Sequence, residues 1–300
     1  MSQQLAFLFP GQGSQSVGML AALAQNYAVV KQTFDEASQV LDVDLWAIVS
    51  DGPREELDQT NKTQPAMLSA GVAVWRVWCH LQGKLPEVMA GHSLGEYTAL
   101  VCAEAMAFKD AVRLVAERGR LMQQAVPPGE GAMAALLGLD DEQVRALCAQ
   151  AAQGDVVEAV NFNSPGQVVI AGAADAVARA MELAKAAGAK RAIPLPVSVP
   201  SHCALMKPAA LELQAALAAV AIEKPRIAVL HNVSVTAESD AEAIRRRLVE
   251  QLYSPVRWVE TVEKIRADGI TMLVEAGPGK VLTGLTRRID RDLYATALSE

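Results

Sequence analysis

An apolar run, a tight glycine-flanked turn and a helix-forming stretch follow one another at residues 88–106, VMAGHSLGEYTALVCAEAM. Val88 to Ala90 reads as a buried strand, Gly91-His92-Ser93-Leu94-Gly95 fits G-x-S-x-G, and Glu96 to Met106 is rich in helix formers. In that context the pattern predicts a nucleophile elbow. A serine on so sharp a turn sits in strained backbone, and its neighbours two positions away must lack side chains for adjacent segments to pack. The helix that follows points its unpaired N–H groups at the serine oxygen.

The rest of the chain supplies a scaffold for such a turn. Leu5 to Phe9 (LAFLF) is wholly apolar, as in a strand of a sheet covered on both faces. It runs into Pro10-Gly11-Gln12-Gly13-Ser14-Gln15. A dinucleotide fingerprint fails there because position 16 is serine, and no Gly-Lys-Ser/Thr follows to make a P-loop. The loop is either an ordinary tight turn or a source of backbone N–H groups for a ligand. Residues 16–50 read as helical segments with a connection at 41–46. A long helix is predicted over Pro65 to Gln82, capped by Thr63 or Asn61.

In Lys109 to Ala125 the apolar positions Ala111, Leu114, Val115, Leu121, Met122 and Ala125 fall within roughly 60° either side of one direction, with Arg118 at its centre. A buried guanidinium needs an anion. Either a structural Asp or Glu or a substrate carboxylate gripped by its planar fork would serve.

Beyond Pro127-Pro128-Gly129-Glu130-Gly131 the texture changes to strand (132–139), helix (140–153), strand (156–162), the turn Asn163-Ser164-Pro165-Gly166, strand (167–171), helix (175–188) and strand (190–197). That is β-α-β-β-α-β, the split ferredoxin-like order. Pro194, Pro196 and Pro200 mark the exit. Pro200-Ser201-His202-Cys203 opens a helix to about Val220. Strand 227–230, helices 241–252 and 256–268, strand 271–274, the turn Glu275-Ala276-Gly277-Pro278-Gly279-Lys280 and a helix ending near Ile289 follow. The fold class is α/β. A large domain with a mostly parallel, α/β-hydrolase-like sheet spans residues 1–126 and 199–300. An inserted ferredoxin-like subdomain spans 127–198.

A serine hydroxyl needs a base to attack. Among the four histidines, His92 adjoins Ser93 and should point to the opposite face, while His80 ends a tryptophan-bearing helix. His202 and His231 remain, both at element boundaries where site residues gather. No acid stands out as a triad partner, which weighs against an ordinary esterase. The 300-residue chain has a net charge of −7, which argues against nucleic acid as a partner. No apolar run reaches the ~20 residues of a membrane span, and the N-terminus lacks signal-peptide features. Its four cysteines are scattered without a C-x-x-C pair. They suggest no zinc site and no disulfide framework, and point to the cytoplasm.

Taken together, the chain resembles the malonyl-CoA:acyl carrier protein transacylases of bacterial fatty acid synthesis. The resemblance rests on FPGQGSQ at 9–15, TQPA at 63–66, GHSLGEYTAL at 91–100 and ERGRLMQ at 117–123. It continues with NFNSPGQVVIAG at 161–172, PVSVPSHCALMKP at 196–208, QLYSPVRW at 251–258 and EAGPGKVLTGL at 275–285. It implies Ser93 as nucleophile and His202 as its base, a dyad whose imidazole is oriented by the backbone carbonyl of Gln251. It implies an oxyanion hole from the N–H groups of Gln12 and Leu94, with Arg118 on the malonyl carboxylate. Gln64 and Asn163 would line the pocket, and His231 is left without a role. No metal or other cofactor is implied. Malonyl-CoA and acyl carrier protein are the implied partners. Lys190, Arg191, Lys280, Arg287, Arg288 and Arg291 are candidates for a basic patch facing an acidic carrier. A thioester hydrolase, a non-catalytic carrier-protein binder, and the malonyl transferase of a malonate decarboxylase or trans-acting polyketide system are the competing readings.

Overall fold

A computed structural model describes residues 4–197 and 199–298. Ser198 of the PVSVPSHCALMKP motif and the outermost terminal residues lie outside the described residues. The first half of the chain forms β1 (Leu5–Phe9), α1 (Ala21–Asn26), α2 (Ala28–Leu41), α3 (Leu45–Asp51), α4 (Arg54–Leu57), α5 (Thr60–His80), β2 (Val88–Gly91), α6 (Gly95–Cys102) and α7 (Phe108–Gln124). Next come β3 (Gly131–Leu137), α8 (Asp141–Ala152), β4 (Val157–Ser164), β5 (Gln167–Ala173), α9 (Ala174–Ala186) and β6 (Arg191–Pro194). A single 3-10 turn (Ala204–Met206) then leads to α10 (Lys207–Ala218), β7 (Ala228–Leu230), α11 (Ala241–Gln251), α12 (Trp258–Ala267), β8 (Met272–Glu275), α13 (Val281–Ile289) and β9 (Tyr294–Ala297).

Two sheets result. Five parallel strands run in the order β7-β2-β1-β8-β9. Alternate residues of β1 enter different cores: Leu5, Phe7 and Phe9 on one face, Ala6 and Leu8 on the other. That is the two-sided burial expected of a wholly apolar parallel strand. The second sheet is antiparallel, ordered β4-β5-β3-β6, with α8 and α9 on one face. This is the ferredoxin-like arrangement expected from the β-α-β-β-α-β order. Its other face carries Met133, Val160, Val169 and Ala171 against Cys203, beside the candidate base. A backbone bridge joins the two parts, because Phe162 N donates to Val256 O at 3.0 Å and Val256 N to Val160 O at 2.8 Å. No described helix is long and apolar enough to cross a membrane.

Three local expectations need correction, and one strand was not expected. The long helix begins at Thr60, so neither Thr63 nor Asn61 caps it and Pro65 lies inside it. Proline there gives up its N–H bond to Asn61 and sets its ring against that carbonyl, close to the helix start. The elbow helix ends at Cys102 rather than Met106, where Glu104 turns to a φ of 58°. Residues 200–203 do not open a helix. His202 takes a φ of 68° and its N–H donates to Leu252 O at 2.9 Å, so α10 waits until Lys207, with Pro208 in its first turn. Finally, β9 extends the parallel sheet as an edge strand that the sequence did not announce.

Candidate active site

The loops at the carboxyl ends of β1, β2 and β7 meet, as ligand-binding loops of parallel sheets do. The turn after β2 is forced by packing. A Cβ on Gly91 would lie 1.9 Å from the Gly95 carbonyl carbon, and one on Gly95 would lie 2.0 Å from Phe9 O. Only glycine at both positions lets α6 leave directly against β1. Ser93 between them has a φ of 52°, in the left-handed region that costs a non-glycine residue ~1–3 kcal/mol.

Ser93 Oγ lies 2.7 Å from His202 Nε2. His202 Nδ1 lies 2.7 Å from the main-chain oxygen of Gln251. A carbonyl only accepts, so Nδ1 carries the proton and Nε2 is left to accept from the serine. His202 is buried, and its pKa falls to about 3, first through burial and then through the positive charge of Arg118. Among the described residues His231 makes no hydrogen bond to the serine.

Arg118 is 1% exposed, at the centre of the buried face of α7. Its Nη1 donates to Gln64 Oε1 at 2.8 Å, and its Nη2 to Gln251 Oε1 at 3.1 Å and Ser93 Oγ at 3.4 Å. The guanidinium carbon sits 5.4 Å from the centroid of the Tyr97 ring. Nε has no partner, and no described Asp or Glu lies within ion-pair distance. Burial lowers the pKa of this group, opposed by Tyr97 and Glu96. Of the two anions open on sequence grounds, a directly paired structural acid is therefore not what the guanidinium faces.

Gln12 and Leu94 reach the same cavity, and so does His92, which was expected on the face opposite Ser93. Gln12, His92, Ser93, Leu94, Arg118 and His202 line a cavity of about 110 Å³, closed from the antiparallel-sheet side by Met133, Asn161, Leu195 and Val197. The main-chain N–H groups of Gln12 and Leu94 donate to no acceptor among the described residues. Gln64 touches the cavity only through Arg118. Asn163 Oδ1 accepts from His92 Nε2 at 2.8 Å, holding that ring beside Trp258. The EAGPGK turn stays outside the cavity. Its Glu275 caps α13 through the N–H groups of Leu282 and Thr283, at 3.0 and 2.7 Å. No cluster of three metal-ligating side chains occurs among the described residues.

Two supporting residues escaped the sequence reading. Asn232 accepts the Ser93 N–H on Oδ1 at 2.7 Å and donates to Gly91 O at 2.6 Å, clamping the elbow from β7. Glu96, fully buried on the first turn of α6, accepts from His231 Nδ1 at 2.7 Å. The Glu in GHSLGE and the His-Asn pair after a strand were the available signals, but neither names its partner.

A strained serine in contact with a neutral imidazole, beside a buried cation, defines an acyl-transfer site on an α/β sheet. The chain belongs to the acyl transferase domain family, which matches residues 6–292. It is 61% identical over 297 residues to the malonyl CoA-acyl carrier protein transacylase of Salmonella typhimurium, covering 99% of this chain and 96% of the relative. The Bacillus subtilis protein of the same name is 47% identical, with 99% and 94% covered. The crystal structure of an acyl carrier protein S-malonyltransferase from Vibrio cholerae superposes with a TM-score of 0.97 at 62% identity, covering 99% and 97%. A malonyl-transacylase solved in complex with a type II PKS acyl-carrier protein gives 0.99 at 59% identity, covering 99% and 96%.

Proposed function

We propose that this acyltransferase moves a malonyl group from malonyl-CoA to the phosphopantetheine thiol of acyl carrier protein, through a malonyl ester on Ser93, for fatty acid synthesis. The observation that carries the reading is Arg118, a buried cation without a carboxylate partner, 3.4 Å from the Ser93 hydroxyl. An acyl group ending in a carboxylate supplies the missing anion at the reach of one short chain. Near-full-length identity to proteins named for this reaction supports the same choice.

In the first half-reaction His202 Nε2 takes the Ser93 proton as Oγ bonds to the thioester carbon. The N–H groups of Gln12 and Leu94 hold the resulting oxyanion, each worth about 3 kcal/mol in the transition state. The C–S bond then breaks, and the coenzyme A sulfur leaves with the proton from His202. In the second half-reaction the carrier's thiol gives its proton to His202 and attacks the ester, and Ser93 leaves reprotonated. Gln251 O keeps the imidazole in one tautomer throughout. Gln64 steadies Arg118, and Asn163 steadies His92 at the pocket wall. Acyl groups change partners without any change of oxidation state, so the scheme calls for no cofactor. The four free cysteines accord with the cytoplasm.

The test follows the fate of radiolabelled malonyl-CoA. With holo acyl carrier protein present, label should appear on the carrier at least about 100-fold faster than as free malonate. Release of malonate at an undiminished rate without a carrier would make the protein a hydrolase instead.

A further inference from the structure

The scheme above gives no role to Glu96. Its carboxylate accepts from His231 Nδ1, from the Asn232 main-chain N–H at 2.8 Å and from Gln251 Nε2 at 2.9 Å. Two of those donors touch the reacting residues directly. Asn232 holds the Ser93 N–H. Gln251 Nε2 also donates to Ser93 O at 3.0 Å, its Oε1 accepts from Arg118, and its main-chain oxygen accepts from His202.

We propose that Glu96 is a positioning residue for substrate selection: it fixes which end of the Gln251 carboxamide faces Arg118, and so aims the guanidinium at the acyl carboxylate. The proposal rests on the reading of Arg118 given above. A carboxamide presents a donor at one end and an acceptor at the other, in nearly the same shape. Glu96 and the Ser93 carbonyl both accept from Nε2, the carboxylate being the stronger acceptor, which leaves Oε1 for Arg118. Were the amide reversed, Nε2 would meet Nη2, donor against donor, and the guanidinium would have to swing away. His231 and Asn232 hold the acid in place. One carboxamide therefore separates the carboxylate from the guanidinium. Glu96 thus acts on the guanidinium at one remove and occupies none of the N–H groups that an incoming carboxylate needs.

Glu96→Gln keeps the shape but removes the charge and turns one acceptor into a donor, which weakens the hold on Gln251 Nε2 and leaves the Ser93 carbonyl as its remaining fixed acceptor. The experiment compares formation of acyl-enzyme from malonyl-CoA and acetyl-CoA, by quench and intact mass, in the wild type, Arg118→Ala and Glu96→Gln. Circular dichroism and thermal melts report folding. Arg118→Ala should abolish the preference for malonyl. Glu96→Gln should lower that preference about tenfold or more, mainly through KM for malonyl-CoA. An unchanged preference in Glu96→Gln beside a collapsed one in Arg118→Ala overturns this proposal and leaves the Arg118 reading standing. An unchanged preference in Arg118→Ala overturns both. If Glu96→Gln does not fold, Glu96→Asp decides. It keeps the acid but shortens it by one methylene, drawing it back from Gln251 Nε2 while Gln251 itself is unchanged. Lost preference supports the proposal, and retained preference refutes it.

Discussion

An imidazole that is to take the proton of Ser93 must be uncharged when the thioester arrives. Burial and the Arg118 charge hold His202 near a pKa of about 3, far below the ordinary value of 6.5. The acidic limb of kcat/KM for malonyl loading should therefore lie well below pH 6.5, with a flat profile between pH 8 and 6. A limb centred near 6.5 would contradict this environment. Arg118→Ala removes the second of the causes that lower it and should move the limb upward. Stability carries the same sign. Between about pH 6.5 and 3 the unfolded chain binds the proton that the folded His202 refuses, so thermal unfolding should come earlier as pH falls through that window. At this scale the sequence was readable where one residue signals by itself. Arg118 stood out because a charge at the centre of an apolar helix stripe is anomalous. Glu96 did not, since an acid in the first turn of a helix is ordinary until three distant donors close on it.

The strand–turn–helix around Ser93 was legible because its glycines are required locally. Gly95→Ala tests this, since its Cβ would fall 2.0 Å from Phe9 O on the neighbouring strand. Displacing backbone on both sides should exceed the ~1–3 kcal/mol of ordinary overpacking. Chemical denaturation should therefore show at least about 3 kcal/mol of lost stability or no folded protein. A loss under 1 kcal/mol would show that the elbow has slack. The elements that were misread depend on partners far away in the chain. His202 leaves helical backbone because Leu252 captures its N–H. The edge strand Tyr294–Ala297, YATA, has weak apolar character and is defined by pairing with β8. Pro65 reads locally as a helix start, though it lies in the second turn of α5.

On the whole-molecule scale, the cavity belongs to neither sheet alone. Met133 and Asn161 come from the antiparallel sheet, Ser93 from the parallel one, and the bridge at Val256 ties β4 to the segment just after Gln251. Asn161 and Asn163 lie at irregularities in the pairing of β4 with β5, where a strand can re-aim its side chains. We propose 127–198 as the inserted unit, with the rest of the chain forming the catalytic one. The alternation of helices and strands made both sheets readable, whereas their docking depends on surfaces that no local pattern encodes. The same docking brings exposed Lys190 and Arg288 to the rim of one depression, with Arg288 Nη1 donating to Gln167 Oε1 at 2.6 Å. We propose that these two cations, with Asp140 as the one acid on the same rim, steer an acidic carrier on a chain of net charge −7. Lys190→Glu with Arg288→Glu should raise KM for the holo carrier about tenfold at low salt and leave malonyl-CoA loading unchanged. Equal effects on both half-reactions would place the carrier elsewhere.

Ser93, His202 and Arg118 come from three separate segments, and the account stands on their acting together on one acyl group. Intact-mass analysis after brief mixing with malonyl-CoA, followed by peptide mapping, tests that most directly. One malonyl group should appear on Ser93 of the wild type, form far more slowly in His202→Ala, never form in Ser93→Ala, and disappear when holo acyl carrier protein is added. A malonyl adduct on Ser93→Ala, or one mapping to any other residue of the wild type, would contradict the account.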